Sequence, residues 1–246
     1  TRHSEKTDKG RQETTGMKKT VIAIGGGEIK NKETQAIDEY IVTLARERAG
    51  DRRPCGLFVP TASHDFMPYY NSFHKMYTGV FDVKTDVALS VFKDIDMEKM
   101  RQKFEKADFL YVGGGDTVFM IEHWKKSGML GLIREAYDRG VPLCGLSAGA
   151  ICWFTTMYTD SAAGGSGETY SLYDGLNWIK GIISPHYNRR MVDFDKILCY
   201  NSYCAYAIED NCALEFADGE PVKSISAGGN AYYIECKGGE MKKRRL

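Results

Sequence analysis

The sequence has no excess of charge of either sign and no long apolar run. Lysine plus arginine and aspartate plus glutamate each number 33 among 246 residues, so no overall field attracts nucleic acid or an anionic membrane. The mean hydropathy is −0.38, and no stretch has the length and apolar composition of a membrane-spanning helix. We therefore expect neither a nucleic-acid partner nor a membrane.

The seven cysteines lack the paired spacing of a metal site or a disulfide framework. Their number is odd, and most of them lie among apolar neighbours. This pattern is typical of reduced core thiols in a cytosolic protein, so we expect a cytoplasmic location, no metal ion and no cofactor. Cys144 is close to Ser147 but belongs to the apolar run VPLCG, which indicates a buried strand residue rather than a nucleophile.

Residues 1–16 lack apolar periodicity and the apolar core of a signal peptide. Met17, followed by the apolar run of KKTVIAIGGG, has the pattern of a natural start. We therefore interpret residues 1–16 as a disordered or non-native extension. Residues 17–246 are expected to form a single α/β domain, because their number suits one such domain.

Short apolar runs alternate with amphipathic segments over the first 154 residues. Strands are predicted at 21–24, 56–59, 109–112 and 141–144, and helices at 34–48, 97–106, 117–126, 130–139 and 148–154. This alternation predicts a mostly parallel sheet with helices on both faces. The later segments 207–216, 222–226 and 231–236 are separated by hairpin-like turns, so we expect an extra β-region at the edge of that sheet.

The strongest local motif is Gly145-Leu146-Ser147-Ala148-Gly149, between an apolar strand and an apolar helix. A tight strand-to-helix turn needs small residues around its central serine, because the chain passes close to itself. Such a turn lifts the serine hydroxyl above the strand ends and aims the helix N-terminus at developing negative charge. Ser147 is therefore the candidate nucleophile.

A serine nucleophile needs a base, and His186 is the best placed of the five histidines. It follows the apolar segment 181–184 and Pro185, so a strand should end there and deliver the imidazole to a loop. A carboxylate should orient that imidazole. Glu209, Asp210 and Asp160 are the candidates, and residue order does not choose among them.

A second informative motif is the glycine run Gly113-Gly114-Gly115, which follows a predicted strand. Its backbone N–H groups can hold an anion or supply one donor of an oxyanion hole. The motif lacks the third-glycine spacing of a dinucleotide site and the Gly-Lys-Ser/Thr of a phosphate loop, so we favour the oxyanion role. The earlier run at residues 25–27 is interpreted as a tight turn without a ligand.

Together these motifs resemble the peptidase E family of serine peptidases, which includes aspartyl dipeptidases and is related to cyanophycinases. The resemblance runs in order from about Met17 to the C-terminal strands through YVGGGDT, GLSAGA, GLN with PHY, and AIED. It implies a flavodoxin-like or glutamine-amidotransferase-like α/β fold.

The resemblance also implies roles for individual residues. Ser147 attacks the scissile carbonyl, and His186 acts as base and then as acid. Glu209 matches the family's carboxylate best, while Asp160 matches an aspartate that can support the site. The backbone N–H groups of Gly115 and Ala148 would form the oxyanion hole.

Aspartyl dipeptidases remove an N-terminal aspartate from short peptides, so the implied partner is a small peptide. An arginine fork suits the substrate carboxylate, and Arg189 and Arg190 are the candidates. Asp116 stands where this family commonly has asparagine. Its carboxylate could bind the substrate ammonium or reduce tolerance for an acidic side chain.

Two other functions stay open at this point. One is a related amidohydrolase or acyl-transfer reaction, including cleavage of β-aspartyl or cyanophycin-type peptides. The other is a non-catalytic module whose glycine loops hold a nucleotide or another anion. The oligomeric state is also open, with a homodimer as one option.

Overall fold

The structure is a computed structural model that describes residues 17–161 and 169–246. Within these ranges the strands are β1 (Thr20–Ile24), β2 (Cys55–Val59), β3 (Lys84–Val87), β4 (Phe109–Val112), β5 (Leu143–Leu146), β6 (Phe154–Thr159), β7 (Ser171–Asp174), β8 (Ile179–Ser184), β9 (Cys204–Ile208), β10 (Cys212–Ala217), β11 (Glu220–Ser226), β12 (Ala231–Lys237) and β13 (Glu240–Arg245). The α-helices are α1 (Gln35–Ala49), α2 (Met67–Gly79), α3 (Met97–Lys106), α4 (Thr117–Ser127), α5 (Met129–Asp138), α6 (Ala148–Ile151) and α7 (Tyr187–Asn201), with short 3-10 turns at Ile29–Asn31 and Thr61–Ser63.

A seven-stranded sheet has the order β11-β10-β1-β5-β4-β2-β3. The five strands from β1 to β3 in this order run parallel, and β10 and β11 extend the β1 edge as antiparallel strands. The parallel strands are short and apolar because both of their faces are covered. The predicted mostly parallel α/β architecture is therefore confirmed.

Side chains that alternate along β1 show how the helices cover this sheet. Val21 and Ala23 join an apolar cluster with α3, α4 and α5, whereas Ile22 and Ile24 join a second cluster with α1 and α2. Successive strand residues point to opposite faces, so one five-residue strand anchors both layers. Each fully buried isoleucine of this kind contributes roughly 1.5–3 kcal/mol.

A second sheet of six strands has the order β13-β12-β9-β8-β6-β7. Helix α7 packs on one face of it through Phe194 and Leu198. On the other face, the ring of Phe154 lies 5.1 Å from that of Phe216 on β10, so the two sheets share a core. We accordingly propose that residues 17–246 form one domain.

The structure corrects the sequence prediction in three places. The C-terminal strands do not all extend one sheet, because β9, β12 and β13 belong to the second sheet. The helix predicted over 148–154 ends at Ile151, and a strand begins at Phe154. Helix α7 was not predicted. The prediction for residues 1–16 lies outside the described residues.

Candidate active site

Loops from both sheets meet at the C-terminal ends of their parallel strands. Ser147 follows β5 directly, and the two glycine runs follow its neighbours β1 and β4. From the second sheet, His186 follows β8 and Asp210 follows β9. Open α/β sheets place ligands at the carboxyl ends of their strands, so this meeting point is the candidate active site.

Ser147 occupies a strained turn between β5 and α6. Its φ is 53° and its ψ is −108°, a conformation that few non-glycine residues adopt. Gly145 and Gly149 make the turn feasible, since a Cβ on Gly145 would collide with the carbonyl of Gly149. The backbone N–H of Ser147 donates to the carbonyl of Ile24 at 3.0 Å, which ties the turn to β1. This geometry matches the predicted nucleophile elbow.

His186 lies directly beside the serine hydroxyl. Its Nε2 is 2.9 Å from Ser147 Oγ. The residue caps the N-terminus of α7 with a φ of 49°, and its backbone N–H donates to the carbonyl of Gly25 at 2.8 Å. The imidazole is therefore positioned by the first sheet as well as by its own helix.

Asp210 is the carboxylate that contacts the imidazole. Its Oδ1 lies 2.5 Å from His186 Nδ1, and its Oδ2 accepts from Asn188 Nδ2 at 3.1 Å. Burial acts to raise the pKa of Asp210, but hydrogen bonds from His186 and Asn188 and the charges of His186 and Arg189 outweigh it and lower that pKa. An ionised Asp210 only accepts, so Nδ1 carries the proton and Nε2 accepts from the serine hydroxyl.

The carboxylate expected to orient His186 was Glu209, and the structure contradicts this. Glu209 Oε2 accepts from the backbone N–H of Asn230 at 2.8 Å and from its amide at 3.0 Å. Glu209 is adjacent to Asp210 at the end of β9, and consecutive residues of an extended chain face opposite sides. Glu209 therefore holds the β12 side of the second sheet, while Asp210 faces the site.

Two backbone N–H groups are suitably placed for an oxyanion. Ala148 follows Ser147 at the start of α6, and Gly115 lines the same cavity as Ser147. Within residues 17–161 and 169–246, neither N–H donates to an acceptor. Tyr69 steadies the glycine loop, because its hydroxyl accepts from the N–H of Gly114 at 3.2 Å. Sequence inspection did not single out this tyrosine.

A cavity of about 330 Å³, here called the small cavity, opens beside the hydroxyl of Ser147. Its lining includes Asp116, Asp160 and Arg190. Asp116 caps α4 by accepting from Phe119 N at 3.0 Å. Asp160 follows β6, and in the described ranges it makes no hydrogen bond to His186. The cavity thus combines two carboxylates with one guanidinium.

Arg190 is the buried cation of the small cavity. It is 7% exposed, and its Nη1 donates to the carbonyl of Tyr158 at 3.0 Å. Its guanidinium lies 4.3 Å from the ring centroid of Tyr170, and Nε has no partner among the described residues. Burial lowers the pKa of Arg190, and nearby Tyr170 and Asp160 oppose that effect. An anionic ligand would supply the missing acceptor.

Arg189 differs from its neighbour in both place and partner. It is largely exposed, and its Nε pairs with Asp210 Oδ2 at 2.7 Å. It lines a second cavity of about 770 Å³, here called the large cavity, which also reaches Ser147 and Tyr69. The two arginines considered together in the sequence therefore serve different sides of the serine.

The first glycine run also touches the site, which the tight-turn interpretation missed. A Cβ on Gly26 would collide with Asp210 Oδ1 and with the ring of His186. Asn188 was likewise missed; its amide accepts from the backbone N–H of Asp210 at 3.0 Å. Its position two residues after His186 was the one available sign in the sequence.

No group of three or more His, Cys, Asp or Glu side chains in the described ranges is arranged to hold a metal ion. No helix in those ranges is long and apolar enough to cross a membrane.

Ser147, His186 and Asp210 have the relative geometry of a serine–histidine–aspartate triad. The model of peptidase family S51 matches residues 21–224. The uncharacterized peptidase YgaJ of Bacillus subtilis (strain 168) is 32% identical over 223 residues, which cover 88% of this chain and 92% of that protein. The chain belongs to peptidase family S51, a serine-type family, and the resemblance inferred from its motifs is confirmed.

Other relatives agree with this assignment. Peptidase E of Haemophilus influenzae (strain ATCC 51907 / DSM 11121 / KW20 / Rd) is 27% identical over 205 residues, which cover 77% of this chain and 89% of that protein. The crystal structure of a peptidase from an acI-B1 Actinobacterium superposes with a TM-score of 0.67 at 18% identity, over 94% of this chain and 95% of the other. The predicted flavodoxin-like fold is confirmed.

Proposed function

We propose that this peptidase is a serine exopeptidase that hydrolyses short peptides through an acyl-enzyme on Ser147. The observation that carries the proposal is the continuous contact from Ser147 Oγ to His186 Nε2 at 2.9 Å and from His186 Nδ1 to Asp210 Oδ1 at 2.5 Å. A serine hydroxyl becomes a competent nucleophile when such a base takes its proton.

In the proposed reaction, Ser147 Oγ attacks the scissile carbonyl carbon while its proton passes to His186 Nε2. The resulting imidazolium is stabilised by ionised Asp210 and then donates the proton to the departing amine nitrogen. A water molecule, deprotonated by the same nitrogen, attacks the acyl-enzyme and releases the acid product with regeneration of Ser147. The cycle needs no other reactant.

The N–H groups of Ala148 and Gly115 are assigned to the oxyanion that forms in each tetrahedral intermediate. Both are free to donate in the described parts of the chain, and Ala148 adds the positive end of α6. One such donor supplies about 3 kcal/mol of transition-state stabilisation. Asp160, which does not contact His186, is reassigned from triad support to the small cavity.

We further propose that the small cavity binds an N-terminal aspartate. A carboxylate in this cavity would satisfy the unpartnered Nε of buried Arg190. The α-ammonium would lie against the carboxylates of Asp116 and Asp160, which line the same cavity. Its volume of about 330 Å³ lies at the low end for small-molecule sites, which favours a single terminal residue over a long chain.

A dipeptide panel tests this function. Purified wild type and Ser147→Ala are assayed against Asp-Leu, Asn-Leu, Ala-Leu and β-aspartyl-leucine. We expect hydrolysis of Asp-Leu by the wild type only, with the other peptides at least tenfold slower. Equal rates across the α-linked peptides would reject the acidic specificity, and preference for the β-linked peptide would favour the amidohydrolase alternative.

A fluorophosphonate probe distinguishes the enzyme from an anion-binding module. We expect it to label wild type at Ser147, as located by peptide mass spectrometry, and to leave Ser147→Ala unlabelled. An unlabelled wild type with saturable nucleotide binding would reject the hydrolase. A cytoplasmic location belongs to the same proposal and is supported by the free state of all seven cysteines.

A further inference from the structure

Two thiols outside the catalytic site lie close enough to react with each other. Cys199 is near the end of α7, and Cys236 is on β12 of the second sheet. Their Sγ atoms are 3.0 Å apart. A disulfide bond is about 2.05 Å long, so a sulfur displacement of about 1 Å closes it. A rotation of the half-buried Cys199 side chain can supply that displacement.

The sheet geometry selects this pair over the neighbouring thiol of Cys204. Cys236 and Ile234 belong to the apolar cluster beneath α7, against which Cys199 packs. Cys204 is opposite Glu235 in the register of β9 and β12, so its side chain points to the other face. Cys204 is therefore a neighbour in sequence and strand pairing but not in reach of the Cys199 side of the sheet.

We propose that Cys199 and Cys236 form a redox-active dithiol that a hydroperoxide oxidises to an intrachain disulfide. In the first step the Cys199 thiolate attacks one peroxide oxygen; the O–O bond breaks, and Cys199 becomes a sulfenic acid while hydrogen peroxide loses its other oxygen as water. In the second step Cys236 attacks the Cys199 sulfur, the S–O bond breaks, and a second water leaves with the Cys236 proton. Two thiols lose two electrons, and the peroxide gains them.

The surroundings assign the order of the two steps. Cys236 is fully buried, whereas Cys199 is partly exposed at the surface of α7. Burial first, and the adjacent Cys199 thiol second, raise the pKa of Cys236 to about 12. Oxidation requires thiolate character and access, so it begins at Cys199, and Cys236 serves as the resolving thiol.

The disulfide would fasten the end of α7 to the sheet without touching the catalytic site. His186 precedes the first residue of this helix, and Cys199 lies thirteen residues further on, which is about 20 Å along the axis. Cross-linking restricts the unfolded chain over the loop between the two cysteines. We therefore expect oxidation to raise Tm by about 5 °C or more and to leave kcat and KM within about twofold.

The experiment treats the reduced full chain with a small excess of hydrogen peroxide under native conditions, then removes the peroxide with catalase. Intact mass should fall by two hydrogens. Trypsin alone leaves Cys199 and Cys204 in one peptide, so chymotrypsin is added to cut after Tyr200 and Tyr203. The expected result is a linked peptide between Cys199 and Cys236, with the Tm increase reversed by dithiothreitol.

Matched variants keep the test independent of the proposed catalytic function. Cys199→Ala and Cys236→Ser should each lose the linked peptide and the peroxide-dependent Tm increase, while Cys204→Ser should retain both. A sulfinic acid at Cys199 without a cross-link would overturn the proposal, as would an equal yield of the Cys204–Cys236 peptide. A linked peptide with no change in Tm would overturn its structural consequence.

Discussion

The imidazole of His186 and the carboxylate of Asp210 lie 2.5 Å apart, although they extend from different strands of the second sheet. Asn188 holds the pair from the α7 side by donating to Asp210 Oδ2 and accepting from its backbone N–H. Gly26 closes the other side, from the first sheet. The catalytic pair is therefore assembled only when the two sheets are packed together.

Asp210→Asn should lower kcat by about 10⁴-fold, because an amide no longer stabilises the imidazolium or fixes the Nδ1–H tautomer. Glu209→Gln is the matched control, since its carbonyl oxygen can still accept from Asn230. We expect kcat within about threefold of wild type for that variant. Steady-state kinetics on one peptide check both, and a larger loss for Glu209→Gln would return the orienting role to Glu209.

Gly26→Ala should lower kcat by about 100-fold, because the added methyl group pushes His186 and Asp210 out of line and misplacement of about 1 Å costs that much. Gly131→Ala in α5 is the control, since a Cβ there meets open space. It should retain full activity and gain some stability from helix propensity. Wild-type kcat in Gly26→Ala with an unchanged fold would disprove the close approach.

The parallel part of the fold could be predicted because its elements are local. Strand β4 and helix α3 coincide with the predicted residues 109–112 and 97–106. Strand β13 could not be predicted in this way, because its charged sequence EMKKRR has no apolar face and it forms only by pairing with β12. Charged edge strands also prevent unwanted pairing with other chains.

The candidate site divides in the same way. The elbow at Ser147 is written in five consecutive residues, and Pro185 limits the backbone before His186. The choice between Glu209 and Asp210 depends on which of two adjacent side chains faces the first sheet. That is fixed by the register of β9 with β8 and β12, which is a property of the assembled sheet rather than of any local pattern.

Arg190→Met should lower kcat/KM for Asp-Leu by about 10- to 100-fold with little effect on Ala-Leu, because a hydrogen bond to a charged group is worth about 1.5–3 kcal/mol. Arg189→Met is the comparison: it loses the ion pair with Asp210, so any loss should affect both peptides equally. The ratio of the two kcat/KM values is the readout. A fall in that ratio for Arg189→Met alone would move the acidic subsite to the large cavity.

Asp38 should make the protein less stable as pH rises from about 4 to about 7. It is fully buried on α1, and its carboxylate accepts from Tyr77 at 2.7 Å and from Thr34 at 2.9 Å. Burial raises its pKa from 3.8 to about 7, an effect that the hydrogen bonds from Tyr77 and Thr34 reduce and the charge of Glu39 increases.

Because the folded chain holds this proton more tightly, its contribution to stability is complete below the unfolded pKa and is lost as pH rises through the folded value. Asp38→Asn cannot lose a proton, and its amide can still accept from Tyr77 and donate to Thr34. Urea unfolding at pH 5 and pH 8 should show that the free energy of unfolding of wild type, relative to the variant, falls by a few kcal/mol at the higher pH. A constant difference between the two proteins would show that Asp38 is ionised in the folded chain throughout this range, with its buried charge stabilised by the two hydroxyl donors.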